Sequence, residues 1–110
     1  MIIWLFLASF VLANEALVQD VKVSKKNGVY SFAVKILHED SGWSHYVDRY
    51  EVLNKQGKIL ATRTLWHPHE HEQPFTRSLG NVQIKDVSTV YIRAHDSVDG
   101  YSSLYEITLP

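Results

Sequence analysis

The sequence predicts an all-β protein, and three observations support that prediction. Short runs in which apolar and polar residues alternate recur from Leu17 to Leu109, and a period of two is typical of half-buried strands. Turn signals rich in glycine, asparagine, aspartate and lysine separate these runs. A sustained apolar period of 3.6 residues is missing from every window, so the sequence does not indicate an amphipathic helix.

Seven strands are expected. The first begins at Leu17, and its parity points Leu17, Val21 and Val23 toward the core. Asn27-Gly28 then supplies the positive φ angles of a tight hairpin turn. The second strand has four apolar residues on one parity: Tyr30, Phe32, Val34 and Ile36. The other five strands are expected over residues 46–53, 59–65, 75–84, 89–95 and 104–109, with an interruption of the fifth near Gly80-Asn81.

Strands of this length and spacing, joined by short turns, predict a two-sheet antiparallel sandwich of the immunoglobulin-like type. A small, partly open β-barrel is the alternative architecture, because the same pattern of short strands can also close on itself.

The first 13 residues are apolar and uncharged, too few to cross a bilayer comfortably as a helix, and they end in Val11-Leu12-Ala13. This pattern predicts a secretory signal peptide over residues 1–13, although the segment lacks a Lys or Arg before its apolar run. A retained anchor or a buried first strand is the alternative. Residues 14–110 are then a single domain, periplasmic or secreted and not attached to a membrane after cleavage.

The composition excludes several classes of function. A net charge of −1 offers no electrostatic basis for binding nucleic acid. The chain has no cysteine, which removes disulfides, thiolate metal sites and cysteine nucleophiles. Its one methionine is Met1, so the mature chain would also lack the thioether ligands that suit Cu(I).

Histidines are concentrated in alternate connections of the predicted sandwich. The second, fourth and sixth connections, residues 38–45, 66–74 and 96–102, should share one end, since consecutive strands run in opposite directions. All six histidines lie in or beside them: His38, His45, His67, His69, His71 and His95. The other connections carry lysines instead. One end of the domain is therefore expected to be rich in imidazole and carboxylate.

The segment His67-Pro68-His69-Glu70-His71 predicts metal binding at this end. Extended backbone places its three imidazoles on one side, and neutral imidazole is a common ligand of Cu(II) and Zn(II). Since side chains on the same face diverge, at most two of the three imidazoles are expected to bind one ion. His67 and His69 are the preferred pair. The supplementary candidates are His71, His38, His45 and His95, together with Asp40, Asp96 or Asp99. The alternative is a solvated loop whose histidines form only local hydrogen bonds.

Two carboxylates, Asp48 and Asp96, share the inward parity of their strands and therefore need partners. Loop amides or the arginines at positions 49, 77 and 93 are the expected partners. Three aromatic residues belong to the same-end loops: Trp43, Trp66 and Tyr101. They are expected to cover the core as lids, and an exposed binding platform is the alternative.

A catalytic site is not predicted. Ser44, His45 and Asp48 are the residue types of a hydrolase triad, but no nucleophile elbow surrounds Ser44. The sequence instead favours a periplasmic module that binds a divalent metal ion. The alternative is a metal-free domain that binds a protein or peptide with the same three loops.

Several strings resemble a group of small exported bacterial β-domain proteins without an assigned function. They are G-W-S-H-Y-V-D-R-Y-E-V-L at 42–53, H-P-H-E at 67–70, E-Q-P-F-T-R-S-L at 72–79 and R-A-H-D-S at 93–97. The resemblance spans most of the mature chain and implies a bacterial periplasmic or secreted domain. It implies no activity, cofactor or site residue.

Overall fold

A computed structural model describes residues 15–110, so the predicted signal peptide lies outside the described residues. The structure contains eight strands in this order: β1 (Leu17–Lys26), β2 (Val29–Leu37), β3 (Val47–Leu53), β4 (Ile59–Thr64), β5 (Phe75–Val82), β6 (Thr89–Asp96), β7 (Gly100–Tyr101) and β8 (Tyr105–Thr108). The two-residue β7 is the one strand that the alternating pattern does not predict, because it is too short to show a period.

The strands form two antiparallel sheets. The smaller has the order β1-β2-β5, and the larger has the order β4-β3-β6-β7, with β8 also paired to β6. The predicted all-β sandwich is confirmed, and the sheets do not close into a barrel. Within residues 15–110 there is no helix, and hence none long and apolar enough to cross a membrane.

The core lies between the sheets and follows the predicted parity of β2 and β6. The inward residues of β2 are all buried, as are the matching residues of β6: Tyr30, Phe32, Val34, Ile36, Val90, Ile92 and Ala94. Tyr50 and Val52 of β3 complete the layer. Each fully buried side chain of this kind contributes about 1.5–3 kcal/mol through the apolar area it removes from water.

The predicted parity is wrong at the start of β1. The pairing of β1 with β2 shifts register between Val18 and Asp20, which marks a bulge. Because a shift of one residue exchanges the two faces of a strand, Val18 is buried at 7% exposure and Leu17 is 51% exposed. Val21, which follows the bulge, is buried as predicted.

Both predicted turn features are present. Asn27 and Gly28 have φ angles of 51° and 81°, as a tight hairpin requires. The expected interruption near Gly80-Asn81 is also found, with Asn81 at φ 57° and a register shift opposite it in β2.

Strand register places the three predicted loops at one end of the sandwich. Ile36 near the end of β2 pairs with Phe75 at the start of β5, and Val47 at the start of β3 pairs with Asp96 at the end of β6. The connections β2–β3, β4–β5 and β6–β7 therefore meet, as the sequence predicts. This end, called the histidine end below, carries the candidate site.

Candidate metal centre

Four side chains at the histidine end direct ligand atoms to one point: His38, His45, Asp96 and Asp99. One nitrogen or oxygen from each lies within 4.8 Å of the corresponding atoms of the others. The two imidazole rings meet edge to face, with centroids 5.0 Å apart. We call this group the inner centre.

The carboxylate of Asp96 lies between the two imidazoles of the inner centre and contacts both. Its Oδ2 lies 2.7 Å from Nε2 of His38 and 3.0 Å from Nε2 of His45. Its Oδ1 accepts hydrogen bonds from the backbone amides of Val98 and Asp99, at 2.8 and 3.3 Å. The same carboxylate therefore contacts both imidazoles and shapes the β6–β7 loop that brings Asp99 to the site.

His38 lies between two carboxylates. Its Nδ1 contacts Oδ1 of Asp40 while its Nε2 faces Asp96, and all three side chains are fully buried. A neutral imidazole donates from only one nitrogen, and an ionised carboxylate only accepts. Both contacts are satisfied when the ring is protonated, or when a cation replaces the proton at Nε2. Asp40 would then orient the ring in the way that carboxylates support metal-bound histidines.

Asp40 and Gln73 join the inner centre to the β4–β5 loop. The backbone amide of His69 donates to Oδ2 of Asp40 at 2.7 Å, and that of Val47 donates to Oδ1 at 3.2 Å. The side chain of Gln73 accepts from the His38 amide at 3.0 Å and donates to the His69 carbonyl at 2.8 Å. Two polar side chains thus fix the histidine-rich loop against a residue of the inner centre.

His45 and Asp99 form the solvent-facing half of the inner centre, with side-chain exposures of 20% and 42%. Nε2 of His45 lies 3.2 Å from Oδ2 of Asp99 as well as 3.0 Å from Asp96. Burial lowers the pKa of His45, but the hydrogen bonds and charges of Asp96 and Asp99 outweigh it, so this pKa lies above 6.5. Burial raises the pKa of Asp96, but hydrogen bonds from Val98, His45 and Asp99 outweigh it and bring the pKa below its ordinary value.

The donor set suits a borderline divalent ion. Two imidazole nitrogens and two carboxylate oxygens match the ligand types of Zn(II) and Cu(II). Bonds of about 2.0–2.2 Å to four donors require donor separations somewhat longer than the present contacts. Asp99 and His45 are partly exposed and have room to move apart. The 2.7 Å contact between the buried His38 and Asp96 would have to lengthen as the ion enters between them. Two carboxylates would balance the two charges of the ion, and the histidines would bind as neutral rings.

The other predicted ligands lie elsewhere at the histidine end. His67 and His71 are exposed, and His69 is buried with its ring stacked on Phe75 at 4.1 Å between centroids. His95 points to the outer face of the larger sheet, where its Nδ1 lies 2.8 Å from Oδ1 of Asp48. Within residues 15–110 these four histidines contribute to no group of three or more convergent donors. The structure therefore favours His38 and His45 as histidine ligands, whereas the sequence favours His67 and His69.

Asp48 does not face the core as its parity predicts. The pairing of β3 with β6 shifts register between Val47 and Arg49, so Val47 takes the buried position and Asp48 turns toward Arg49 and His95. Asp96 does face the core, but its partners are histidines and loop amides rather than arginine. Arg49 and Arg93 pair instead with Glu51, a buried carboxylate that the sequence pattern does not single out.

The prediction that the aromatic residues act as lids over the core is wrong. Trp43 and Trp66 are 68% and 73% exposed. The ring of Trp43 packs against Tyr46 of its own loop, with centroids 5.7 Å apart. Tyr101 is 43% exposed, and its ring packs on the guanidinium of Arg93, 3.7 Å from the ring centroid, and not over the core. The exposed indoles fit the alternative of a binding platform.

Comparison with known proteins identifies one distant relative. The chain is 36% identical over 90 residues to a protein of Halomicrobium mukohataei named "Putative lipoprotein". The alignment covers 80% of this chain and 44% of the relative, so the chain spans less than half of that protein's length. No protein-family model matches the chain. No solved structure matches it significantly.

Proposed function

We propose that this chain is an exported module that binds one divalent metal ion, Zn(II) or Cu(II), through His38, His45, Asp96 and Asp99. The observation that carries the proposal is the convergence of two imidazoles and two carboxylates at the histidine end, with both ring nitrogens of His38 facing carboxylates. Absence of cysteine, and of methionine after Met1, favours these ions over Cu(I).

Export is supported by two independent features. The first 13 residues have the apolar character of a signal peptide. The Halomicrobium relative bears the name of a lipoprotein, a class of protein that is carried out of the cytoplasm. We propose a binding role rather than an enzymatic one, because the inner centre offers four protein ligands and leaves no fixed position for a substrate.

Calorimetric titration of the metal-free protein with Zn(II) and Cu(II) tests the proposal. We expect the tightest binding event to take up one ion per chain, and we expect Asp99→Asn to weaken that event by about tenfold or more because it removes a charged ligand. Asp99 is exposed, so this variant should keep its fold. Glu39→Gln is the matched control, since Glu39 is an exposed carboxylate beside the site and gives no donor to the inner centre. Equal titrations for the two variants would overturn the proposal.

A metal-free interaction domain is the second candidate function. The exposed indoles of Trp43 and Trp66 favour it, because large apolar side chains on loops are typical of binding surfaces. If this is the main role, metal-free protein should bind its partner as well as metal-loaded protein does, and Trp43→Ala should weaken the complex without changing metal affinity.

A further inference from the structure

The histidine-rich loop contains a buried nitrogen whose position the fold does not explain. The side chain of His69 is 4% exposed, and its Nδ1 has no hydrogen-bond partner among residues 15–110. A buried polar atom without a partner costs free energy. Stacking on Phe75 does not require an imidazole, because an apolar aromatic ring would pack in the same way. The nitrogen itself therefore calls for a ligand.

Two further donors lie next to this nitrogen. Oδ2 of Asp40 is 3.7 Å from Nδ1 of His69, too far for a hydrogen bond but a distance that two metal–ligand bonds of about 2.1 Å can span. The same oxygen also accepts the His69 backbone amide at 2.7 Å. The ring of His67 lies beside that of His69, with centroids 5.2 Å apart and planes inclined by 44°.

We propose that His67, Nδ1 of His69 and Oδ2 of Asp40 form a second, outer site for Cu(II). It goes beyond the proposed function, since it uses none of the four donors of the inner centre. These three residues do not converge as closely as the inner four, and closure requires the exposed His67 side chain to turn toward His69. The outer site should therefore be weaker than the inner one.

Cu(II) is the ion that this incomplete set should retain best. For a given set of nitrogen and oxygen ligands, Cu(II) gives the highest affinity among the divalent first-row metals. Asp40 links the two sites, since its Oδ1 orients His38 while its Oδ2 faces the outer site. The carboxylate of Asp40 would thus lie between an ion held at His67 and His69 and the His38 ring of the inner centre.

Titration of the metal-free protein with Cu(II), followed by calorimetry, tests the outer site. We expect two equivalents, the second weaker by about 10–100-fold because its ligand set is incomplete. His67→Gln should weaken the second event at least about tenfold and leave the first unchanged. His71→Gln is the matched control, because His71 is an exposed histidine of the same loop. It should leave both events unchanged.

Two results would overturn the outer site: a single equivalent whose affinity His67→Gln leaves unchanged, or identical titrations for His67→Gln and His71→Gln. Asp99→Asn separates this proposal from the inner centre, since it should weaken the tighter event alone. If Asp99→Asn changes nothing while His67→Gln removes the weaker event, the inner centre fails and the outer site stands.

Discussion

Nε2 of His38 lies 2.7 Å from Oδ2 of Asp96, although 58 residues separate them in the chain. His38 follows the last residue of β2 in the smaller sheet, and Asp96 ends β6 in the larger. The contact therefore joins the two sheets across the histidine end. Because both side chains are fully buried, Nε2 of His38 depends on Asp96, or on a cation in its place, for a polar partner.

Asp40 should act as a positioning residue for the inner centre. Asp40→Asn keeps the size of the side chain but removes the charge that supports Nδ1 of His38. We expect the affinity for Zn(II) to fall about 10–100-fold, as for other lost partners of metal-bound histidines. Calorimetry measures this loss, and the ring nitrogen NMR signals of His38 should report a changed tautomer. Unchanged affinity together with unchanged His38 signals would show that Asp40 only holds the loop.

Metal affinity should fall as the pH is lowered, because protons compete with the ion for imidazole. The pKa of His45 lies above 6.5 in the metal-free protein, so the decline should begin above that pH. Below the pKa, each histidine that must lose a proton costs about a factor of ten in affinity per pH unit. Titrations with Zn(II) between about pH 8 and pH 5 measure this slope. A constant affinity over that range would exclude imidazole ligands.

The metal-free protein should show two pH-dependent contributions to its free energy of unfolding. The raised pKa of His45 stabilises the fold fully below 6.5, and this contribution is lost as the pH rises through the folded pKa. The lowered pKa of Asp96 stabilises the fold above 3.8, and that contribution is lost as the pH falls through its folded value. The carboxylates of Asp96 and Asp99 stabilise protonated His45. Removing one of them should therefore reduce the loss of unfolding free energy as the pH rises.

Thermal unfolding midpoints across the pH range measure both contributions. Asp99→Asn is the informative variant at the alkaline side, because Asp99 contacts His45 and is exposed. Its midpoint should decline less between about pH 6 and pH 9 than that of the unaltered protein. A steeper decline in the variant would contradict the assigned coupling between His45 and the carboxylates.

Because of the bulge in β1, truncation of Leu17 and truncation of Phe32 should have different effects on the free energy of unfolding, although both residues lie in alternating apolar runs. Phe32 is buried on the regular parity of β2, so Phe32→Ala should lower the free energy of unfolding by about 3–5 kcal/mol. Leu17 belongs to an apolar run of the same kind but is exposed, so Leu17→Ala should stay within about 0.5 kcal/mol. Denaturant unfolding measures both. A loss of several kcal/mol for Leu17→Ala would place it in the core and contradict the bulge.

The sequence predicts the sandwich well because each strand has one buried face, so apolar and polar residues alternate along it. The residues of β2 from Tyr30 to Ile36 show this, and the same parity continues to His38, which is also buried. The position of His38 on this parity is the sequence feature that indicates that its side chain faces the interior. Asp96 likewise extends the inward parity of β6.

The remaining differences arise from contacts that alternation does not encode. Bulges at Val18 and Val47 change which face a residue takes, and each depends on the pairing with a neighbouring strand. The three histidines within residues 67–71 predict a metal site in the β4–β5 loop. The inner centre instead combines residues from two other loops, and only their spatial convergence identifies it.

The most direct test of the inner centre is anomalous diffraction from crystals loaded with one equivalent of Zn(II). We expect a peak about 2.0–2.2 Å from Nε2 of His38, Nε2 of His45 and one oxygen each of Asp96 and Asp99. A peak at any other position, or no peak in protein that binds Zn(II) in solution, would contradict it.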